Sequence, residues 1–230
     1  MAGSVMATNF LTIVALSDTH GMHGRMKHPV PGGDLLIHAG DFCGRGLLTE
    51  VQEFAIWMGA LPHRHKLVTP GNHDRPVEEQ EDACRRMFEA QGIHLLIGNT
   101  VEVEGLRVFG SPYTPTFLNW HFMRDRGPAI RAKWEAIPDD ADLAITHGPA
   151  YGHGDLVPPW QGNPARHAGC LELLSRLRTV RPKLHVFGHI HDGYGVTISD
   201  EIPGTTFLNA SICTETYKPV NPPQRFVLAR

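Results

Sequence analysis

Short runs of apolar residues recur along the chain, and each is followed within three residues by an Asp, an Asn or a His. The runs contain four to six residues and are rich in leucine and β-branched side chains, so they predict strands that are buried on both faces. Glycine in or beside each polar turn indicates a sharp change of chain direction. The five runs are Leu11–Leu16, Asp34–Ala39, Lys66–Thr69, Asp142–Thr146 and Lys183–Phe187.

Helical spacing appears in four of the segments between these runs. In the first, apolar residues at positions 51, 54, 55 and 58 follow the i, i+3, i+4, i+7 pattern, and Thr49 with Gln52 predicts a capping box. The second, residues 77–91, is expected to end at Gly92, because glycine commonly follows the last turn of a helix. The other two are residues 128–136 and residues 170–177.

Strands dominate the remaining segments. Residues 101–103 and 106–110 flank a Glu-Gly turn and predict a hairpin. Late runs at 194–198, 206–210 and 225–229 predict further strands, which we expect to be antiparallel. Early alternation of strands and helices, followed by strands, predicts an α/β layered fold with mixed sheets. With no repeat or linker, we expect a single domain over residues 1–230, in which residues 1–9 are a disordered terminus or a remnant of cloning.

The composition excludes several classes of protein. Of the 230 residues, 20% are charged and 41% are hydrophobic, which is ordinary for a globular domain. The net charge of −3 leaves no basic surface that would hold a long nucleic acid. The four cysteines form no C-x-x-C pair and fit a reducing compartment, so we expect a cytoplasmic protein. No apolar run approaches the roughly 20 residues of a membrane helix.

The polar turns after the five predicted strands carry nitrogen and oxygen donors. Ligands of open sheets bind outside the carboxyl ends of the strands, so we expect these side chains to converge on one crevice. Imidazole, carboxylate and amide oxygen together suit Mn, Fe, Zn, Co or Ni rather than Ca²⁺, which prefers oxygen alone. The donors are Asp18, His20, Asp41, Asn72, His73, His147, His189 and His191.

The number of donors favours two metal ions over one. So many side chains exceed the needs of one tetrahedral ion, and they suit two ions if one carboxylate bridges and water completes the coordination. Two divalent ions outweigh the two carboxylates of Asp18 and Asp41. The centre would therefore stay positive even with a bridging hydroxide, and it would attract an anion such as phosphate.

Each motif alone has a plain structural explanation. An Asp-x-His sequence at a strand end is usually a turn with a helix cap, and Gly-Asn-His-Asp is a common turn sequence. Two histidines at i and i+2 are a stronger signal, but one that also occurs without a metal. Five such motifs, each after a predicted strand, are a rare coincidence, and their combination favours a functional site.

Together the motifs resemble the calcineurin-like metallophosphoesterase superfamily, and the resemblance extends from about residue 11 to residue 228. Segments such as Leu36–Phe42 and Leu184–His191 are similar to its small metallophosphoesterase-domain branch. The resemblance implies a four-layer α/β/β/α sandwich of two mixed β-sheets flanked by helices, with a dinuclear metal site at the strand ends. The motifs are Asp18-x-His20, Gly40-Asp41, Gly71-Asn72-His73-Asp74, His147 and Gly188-His189-x-His191.

The resemblance also implies a role for each donor. Asp41 would bridge two divalent ions, with manganese expected first and Fe, Zn, Co, Ni or Mg as alternatives. His73 would not be a ligand and would instead give a proton or a hydrogen bond to the leaving group. The first ion would be held by Asp18, His20 and His191, and the second by Asn72, His147 and His189.

Weaker candidates lie nearby. Arg45 follows Asp41 by four residues and resembles the phosphate-binding arginine of the Ser/Thr protein phosphatases, although the small branch does not usually carry an arginine there. Asp74 would either orient His73 or cap the following helix. The long loop 111–127 holds three rings that would either stack on a nucleobase or pack on the sandwich: Tyr113, Trp120 and His121.

The sequence thus predicts a metal-dependent phosphodiesterase that hydrolyses small phosphodiesters such as cyclic nucleotides, by attack of a hydroxide held between the metal ions. A phosphomonoesterase or a nuclease on the same site is one alternative, and a low-turnover nucleotide-binding or scaffold protein is another. The complete ligand set, including His189, favours an enzyme. We expect a small phosphoester or nucleotide as its partner, with no long nucleic acid and no membrane.

Overall fold

Strands and helices alternate through the first half of the chain. The structure is a computed structural model that describes residues 10–159 and 164–229, so the expected tail at residues 1–9 lies outside the described residues. The strands are β1 (Phe10–Leu16), β2 (Leu35–His38), β3 (His65–Val68), β4 (His94–Leu95), β5 (Asn99–Val103), β6 (Leu106–Ser111), β7 (Thr114–Pro115), β8 (Met123–Arg124), β9 (Leu143–Thr146), β10 (Leu156–Val157), β11 (Arg166–His167), β12 (Leu184–Phe187), β13 (Gly195–Ile198), β14 (Thr206–Asn209) and β15 (Gln224–Ala229). The helices are α1 (Leu48–Gly59), α2 (Arg75–Glu79), α3 (Glu81–Glu89), α4 (Pro128–Trp134) and α5 (Leu171–Val180), with 3₁₀ turns at His23–Arg25 and His191–Gly193.

Two mixed sheets form the centre of the described part of the chain. The five-stranded sheet has the order β15-β1-β2-β3-β4, and the six-stranded sheet has the order β13-β14-β12-β9-β6-β5. The inner strands of both sheets run parallel, whereas β15, β13 and β5 are antiparallel to their neighbours. The carboxyl ends of the parallel strands of each sheet therefore lie along one edge.

Apolar side chains separate the sheets and helices into four layers. Ile37 of the first sheet and Val186 of the second belong to the core between the sheets. Phe54 of α1 and Phe88 of α3 pack on the outer face of the first sheet, and Trp134 of α4 packs with α5 on the outer face of the second. This arrangement confirms the α/β/β/α sandwich.

Helix α1 confirms the predicted apolar stripe but begins differently. Its buried residues lie at positions 51, 54, 55 and 58, as expected. The Thr49–Gln52 capping box is wrong, because the carboxylate of Glu50 caps the helix instead. It accepts the backbone N–H groups of Leu47 at 2.9 Å and of Gly44 and Arg45, and so fixes the loop that follows β2.

Two other predicted elements differ in the structure. The single helix expected over residues 77–91 is two helices, α2 and α3, because the non-helical backbone of Gln80 (φ −139°, ψ 47°) interrupts it. Strand β14 is antiparallel to β13, as expected, but it is parallel to β12. The chain first forms the outer strand β13 and then returns between β13 and β12, so β14 opposes β13 and runs with β12. Among the described residues, none of the helices combines the length and hydropathy that a membrane crossing requires.

Candidate metal centre

Polar side chains from five turns meet where the two sheets present the carboxyl ends of their parallel strands. The turns follow β1, β2 and β3 of the first sheet and β9 and β12 of the second. The structure brings together all eight donors predicted from the sequence. They are Asp18, His20, Asp41, Asn72, His73, His147, His189 and His191.

Four of these residues have a left-handed backbone, which residues other than glycine rarely adopt. The φ angles are 54° for Asp18, 43° for His20, 57° for Asp41 and 70° for His189. Such a conformation costs about 1–3 kcal/mol per residue and persists only where the surrounding structure imposes it, commonly at functional sites. These conformations turn the chain sharply after β1, β2 and β12, where the donors lie.

Glycine allows two turns to approach the carboxylates. A Cβ atom on Gly71 would overlap the Asp41 carboxylate, and one on Gly188 would overlap that of Asp18. Any other residue at these positions would push the carboxylates away from the histidines. The glycines therefore set how closely the turns from the two sheets converge.

The first cluster of donors combines Asp18, His20 and His191, whose ligand atoms all lie within 4.8 Å of one another. The Nε2 atoms of His20 and His191 are 3.2 Å apart, and His191 Nε2 is 3.4 Å from Asp18 Oδ1. Asp18 also accepts the backbone N–H of His189 at 3.0 Å and the hydroxyl of Ser211 at 2.7 Å. The carboxylate is thus held in place by both neighbouring turns.

The second cluster combines Asp41, His147 and His189, again within 4.8 Å. His147 Nε2 lies 3.3 Å from Asp41 Oδ2 and 3.0 Å from the amide oxygen of Asn72. Asp41 Oδ2 is also 4.0 Å from His20 Nε2 in the first cluster. The Asp41 carboxylate therefore lies between the clusters, where a bridging ligand would lie.

The histidine tautomers fit a metal centre. Nδ1 of His147 is 2.9 Å from the carbonyl oxygen of Ala39, and Nδ1 of His191 is 2.9 Å from that of Thr214. A carbonyl oxygen only accepts hydrogen bonds, so each Nδ1 carries a proton, and the Nε2 atoms are the ones that face the carboxylates. Backbone carbonyls orient metal-binding histidines in this way. The residues present therefore fit divalent cations.

Charge in the crevice is arranged around the two carboxylates. Burial would raise the pKa of Asp18 and Asp41, but the neighbouring His191 and His147 hold both pKa values well below their usual range. Burial alone would lower the pKa of His147 and His191. Contact with the carboxylates outweighs burial and raises the pKa of each histidine to about 9. In the metal-free protein the pairs are ion pairs at neutral pH, and a bound cation would replace the Nε2 protons.

The other two histidines of the clusters are neutral at neutral pH. Burial lowers the pKa of His189 to about 3. Burial also lowers the pKa of His20 to about 4, against the opposing charge of Asp41. Their nitrogen lone pairs are available at physiological pH without loss of a proton.

His73 lies beside both clusters. Its Nε2 is 3.9 Å from Asp41 Oδ2, and its ring meets the edge of His20 with the centroids 4.6 Å apart. The backbone N–H of His73 donates to Asp41 Oδ1 at 2.8 Å. Its donor atom is as close to His20 and Asp41 as the donors within the clusters are to one another. Distance alone therefore does not separate a proton donor from a ligand at this position.

Asp74 connects two turns, and in the part of the chain that the structure describes it neither orients the His73 ring nor caps the following helix. Its buried carboxylate accepts the backbone N–H groups of Asp41 at 2.9 Å, Gly71 at 2.7 Å and Cys43 at 2.8 Å. Among the described residues it makes no hydrogen bond to the His73 ring, and its side chain does not cap α2. Burial, with the charge of Asp41, raises its pKa to about 7. Asp74 thus fixes the turns after β2 and β3 relative to each other.

A cleft of about 420 Å³ opens above the donors. Aromatic and aliphatic side chains form much of its wall, and the carboxylates of Asp192 and Glu215 also line it. The described residues of the wall include neither lysine nor arginine. The aromatic residues are Phe117, Trp120 and Tyr217.

The weaker sequence candidates lie in different places. Arg45 is exposed and does not line the cleft, so its substrate-binding role stays a prediction. Tyr113 packs beneath Arg124 and Lys133, and His121 contacts Glu78. Trp120 does line the cleft, where it stacks on His73.

The turn at 214–218 also contacts the site, although the sequence did not predict it. The carbonyl of Thr214 orients His191, and the ring of Tyr217 lies 4.8 Å from His20 and 5.5 Å from His191. Tyr217 also has a left-handed backbone, with φ 55°. No motif marks this turn, because it is joined to the site through a backbone carbonyl, which any residue provides.

Comparisons with known proteins agree with this geometry. The family model of the calcineurin-like phosphoesterases matches residues 11–193. Human metallophosphoesterase domain-containing protein 1 is 40% identical over 236 residues, which cover 93% of this chain and 70% of the human protein. A UPF0046 protein of Caenorhabditis elegans is 37% identical over 219 residues, which cover 89% of this chain and 76% of that protein.

A solved structure shares the fold. The phosphopantetheinyl hydrolase of Mycobacterium tuberculosis superposes with a TM-score of 0.58 at 16% identity, and the match covers 87% of this chain and 88% of the hydrolase. The family uses a dinuclear metal site, and the two clusters of Asp and His residues fit one. The chain is a member of the calcineurin-like phosphoesterase family and a metal-dependent phosphoester hydrolase.

Proposed function

We propose that this hydrolase is a phosphodiesterase that acts on small phosphodiesters such as cyclic nucleotides. The observation that carries the proposal is the composition of the cleft above the donors. Its described wall is aromatic, aliphatic and acidic, with neither lysine nor arginine. A phosphomonoester dianion is usually bound by such cations. A diester carries one charge fewer and two organic substituents, which suits this wall better.

Size also supports a small substrate. The cleft volume of about 420 Å³ lies within the range of small-molecule sites, about 300–1,000 Å³. The acidic side chains of its wall would repel the backbone of a long nucleic acid, so a nuclease is the less favoured alternative. The four cysteines are free and buried, which supports a reducing location such as the cytoplasm.

The donors divide between two divalent ions, for which we propose manganese first. Asp18, His20 and His191 would hold one ion, while Asn72, His147 and His189 would hold the other. Asp41 would contact both. When bound, such ions polarise phosphoryl oxygens and bring the pKa of water close to neutrality.

The chain's own residues prepare the site for that chemistry. The carbonyls of Ala39 and Thr214 fix the rings of His147 and His191, so that Nε2 of each faces the clusters. His20 and His189 are already neutral, so they can bind a metal ion without losing a proton. The ligands are therefore oriented before substrate arrives, which reduces the reorganisation needed in the transition state.

His73 is proposed to give a proton from Nε2 to the departing oxygen. Its ring is 15% exposed and lines the cleft, so a bound ester can reach it. Its backbone is tied to Asp41, which keeps the ring beside the reacting centre. Proton donation of this kind typically accelerates a reaction by about 10²–10⁴-fold.

Turnover of model esters tests the proposal. With added Mn²⁺, we expect the protein to hydrolyse bis(p-nitrophenyl) phosphate and 2′,3′-cyclic AMP faster than p-nitrophenyl phosphate, and to lose this activity in EDTA. A preference for the monoester would favour the phosphomonoesterase alternative. Binding of the nucleotide without turnover would favour the scaffold alternative, and either result would overturn the proposal.

A further inference from the structure

The ring of Trp120 lies against the ring of His73. Their centroids are 4.4 Å apart, and the planes are inclined by 29°, which is a stacked arrangement. His73 also packs with His20 in an edge arrangement, with the ring centroids 4.6 Å apart. The His73 ring thus contacts both an imidazole of the first cluster and an indole of the loop 111–127.

Packing, rather than hydrogen bonding, orients this ring. The distance of 3.9 Å from His73 Nε2 to Asp41 Oδ2 is too long for a hydrogen bond. Among the described residues, no other side chain or carbonyl forms a hydrogen bond with the His73 imidazole. This differs from His147 and His191, whose Nδ1 atoms are fixed by carbonyl oxygens. The plane of the His73 ring therefore depends on its aromatic neighbours.

Glu78 of α2 anchors the loop that carries Trp120. Glu78 Oε2 accepts the backbone N–H of Phe122 at 3.0 Å and contacts His121 Nδ1 at 3.1 Å. Helix α2 begins two residues after His73. The same segment thus supplies His73 and holds the indole over it, so the stack is built into the fold.

We infer that Trp120 is a positioning residue for His73, which it keeps in the orientation that directs Nε2 to the departing oxygen. The inference rests on the proton-donor role of His73 given under the proposed function. Trp120 is also 39% exposed and lines the cleft, so the competing role is direct stacking on the substrate. The two roles differ in whether the effect of Trp120 passes through His73.

The test compares Trp120→Ala and Trp120→Phe, each with and without His73→Ala. The substrates are bis(p-nitrophenyl) phosphate, whose leaving group needs no proton, and ribose 2′,3′-cyclic phosphate, whose alkoxide does need one and which has no base to stack. We expect Trp120→Ala to lower kcat for the cyclic phosphate by roughly tenfold to a hundredfold and for the nitrophenyl ester by much less. Trp120→Phe should restore most of the loss, and Trp120→Ala should add nothing in the His73→Ala protein.

The failures of the two proposals are distinguishable. If His73→Ala affects both esters alike, the proton-donor role falls, and this inference falls with it. If His73→Ala behaves as expected but Trp120→Ala does not, only this inference falls. If Trp120→Ala raises KM equally in the wild-type and His73→Ala proteins, Trp120 binds the substrate directly. That result would also overturn the inference.

A change at the anchor provides an independent check. Glu78→Ala should lower kcat for the cyclic phosphate more than for the nitrophenyl ester, as Trp120→Ala does, but by a smaller factor. The loop would lose its hydrogen bonds to α2, while the indole would remain. Glu79→Ala is the matched control, because Glu79 is the next residue and its ion pair within the described part of the chain is with Arg75, at 3.7 Å on the surface. Equal behaviour of the two variants, with the metal content unchanged, would contradict the positioning role.

Discussion

At the scale of single residues, one carboxylate joins the two donor clusters. Asp41 Oδ2 is 3.3 Å from His147 Nε2 and 4.0 Å from His20 Nε2, and its Oδ1 accepts the backbone N–H of His73. Its carboxylate lies within 4.8 Å of ring nitrogens of four imidazoles, those of His20, His73, His147 and His189. Its loss would therefore disturb both proposed ions and the proton donor together.

Asp41→Asn should lose most activity even at saturating Mn²⁺. The amide keeps the shape of the side chain but cannot supply charge to two cations, so we expect a loss of about 10²-fold or more in kcat. Asp140→Asn is the surface control, since Asp140 forms an exposed ion pair with Arg107. A near-normal kcat for Asp41→Asn would rule out a bridging role.

His73→Ala should keep both ions and lose activity according to the ester. An alkoxide needs a proton in the transition state, whereas p-nitrophenolate is stable without one. We expect losses of about 10²-fold or more for a cyclic nucleotide and about tenfold or less for a nitrophenyl ester. Metal analysis of the variant comes first, because loss of an ion would make His73 a ligand.

At the scale of elements, a buried side-chain hydrogen bond joins β9 and β12 beside the second cluster. The hydroxyl of Thr146 donates to the carbonyl of Gly148 at 2.7 Å, so it can only accept from His185 Nε2 at 2.8 Å. His185 is therefore protonated on Nε2 and neutral. The two strands are joined by this buried link directly beneath His147, which follows Thr146 in the chain.

His185 should make the protein sensitive to acid. Burial lowers its pKa to about 3 from an ordinary value of 6.5. Below pH 6.5 the unfolded chain binds a proton that the folded chain does not, so stability is lost as the pH falls from 6.5 towards 3, by about 1.4 kcal/mol per pH unit.

Denaturant unfolding at several pH values measures this effect. Relative to wild type, His185→Gln should reduce the slope of the unfolding free energy between pH 6 and pH 4 by about 1.4 kcal/mol per unit. The difference between the two proteins cancels the titration of other groups. Identical slopes would mean that His185 does not titrate as its burial requires.

Sequence patterns predicted the elements that place the donors, because strand ends and donor residues coincide. Each of the five runs became a strand, and each polar turn reached one edge of its sheet. The roles of the donors as ligands stay predictions. Sequence could not reveal the interruption at Gln80, the cap by Glu50 or the tie made by Asp74, since each depends on contacts that only the folded chain creates. Tyr217 was missed for the same reason.

At the scale of the whole molecule, the clusters join the two sheets. Asp18 and Asp41 come from the first sheet, and His147, His189 and His191 come from the second. An ion in either cluster would therefore add a link between two layers that already meet in the apolar core and through hydrogen bonds such as that of His147 to the Ala39 carbonyl. Metal binding should act as a cross-link that exists only in the folded state.

Metal removal should lower the thermal stability. A ligand at 100 times its Kd stabilises the folded state by about 2.7 kcal/mol. For a chain of this size, that corresponds to a rise of about 5–10 °C in Tm. We expect EDTA to lower the Tm by this amount and excess Mn²⁺ to restore it, with scanning calorimetry as the measurement. The same Tm in EDTA and Mn²⁺ would show that no ion links the sheets.

The central claim is that two ions bind here and share Asp41. Anomalous diffraction from crystals grown with excess Mn²⁺ tests it most directly. We expect two anomalous peaks, one bounded by Asp18, His20 and His191 and the other by Asn72, His147 and His189, with the Asp41 carboxylate in contact with both. A single peak at excess Mn²⁺, or a peak ligated by His73 instead of Asp41, would contradict the proposed centre.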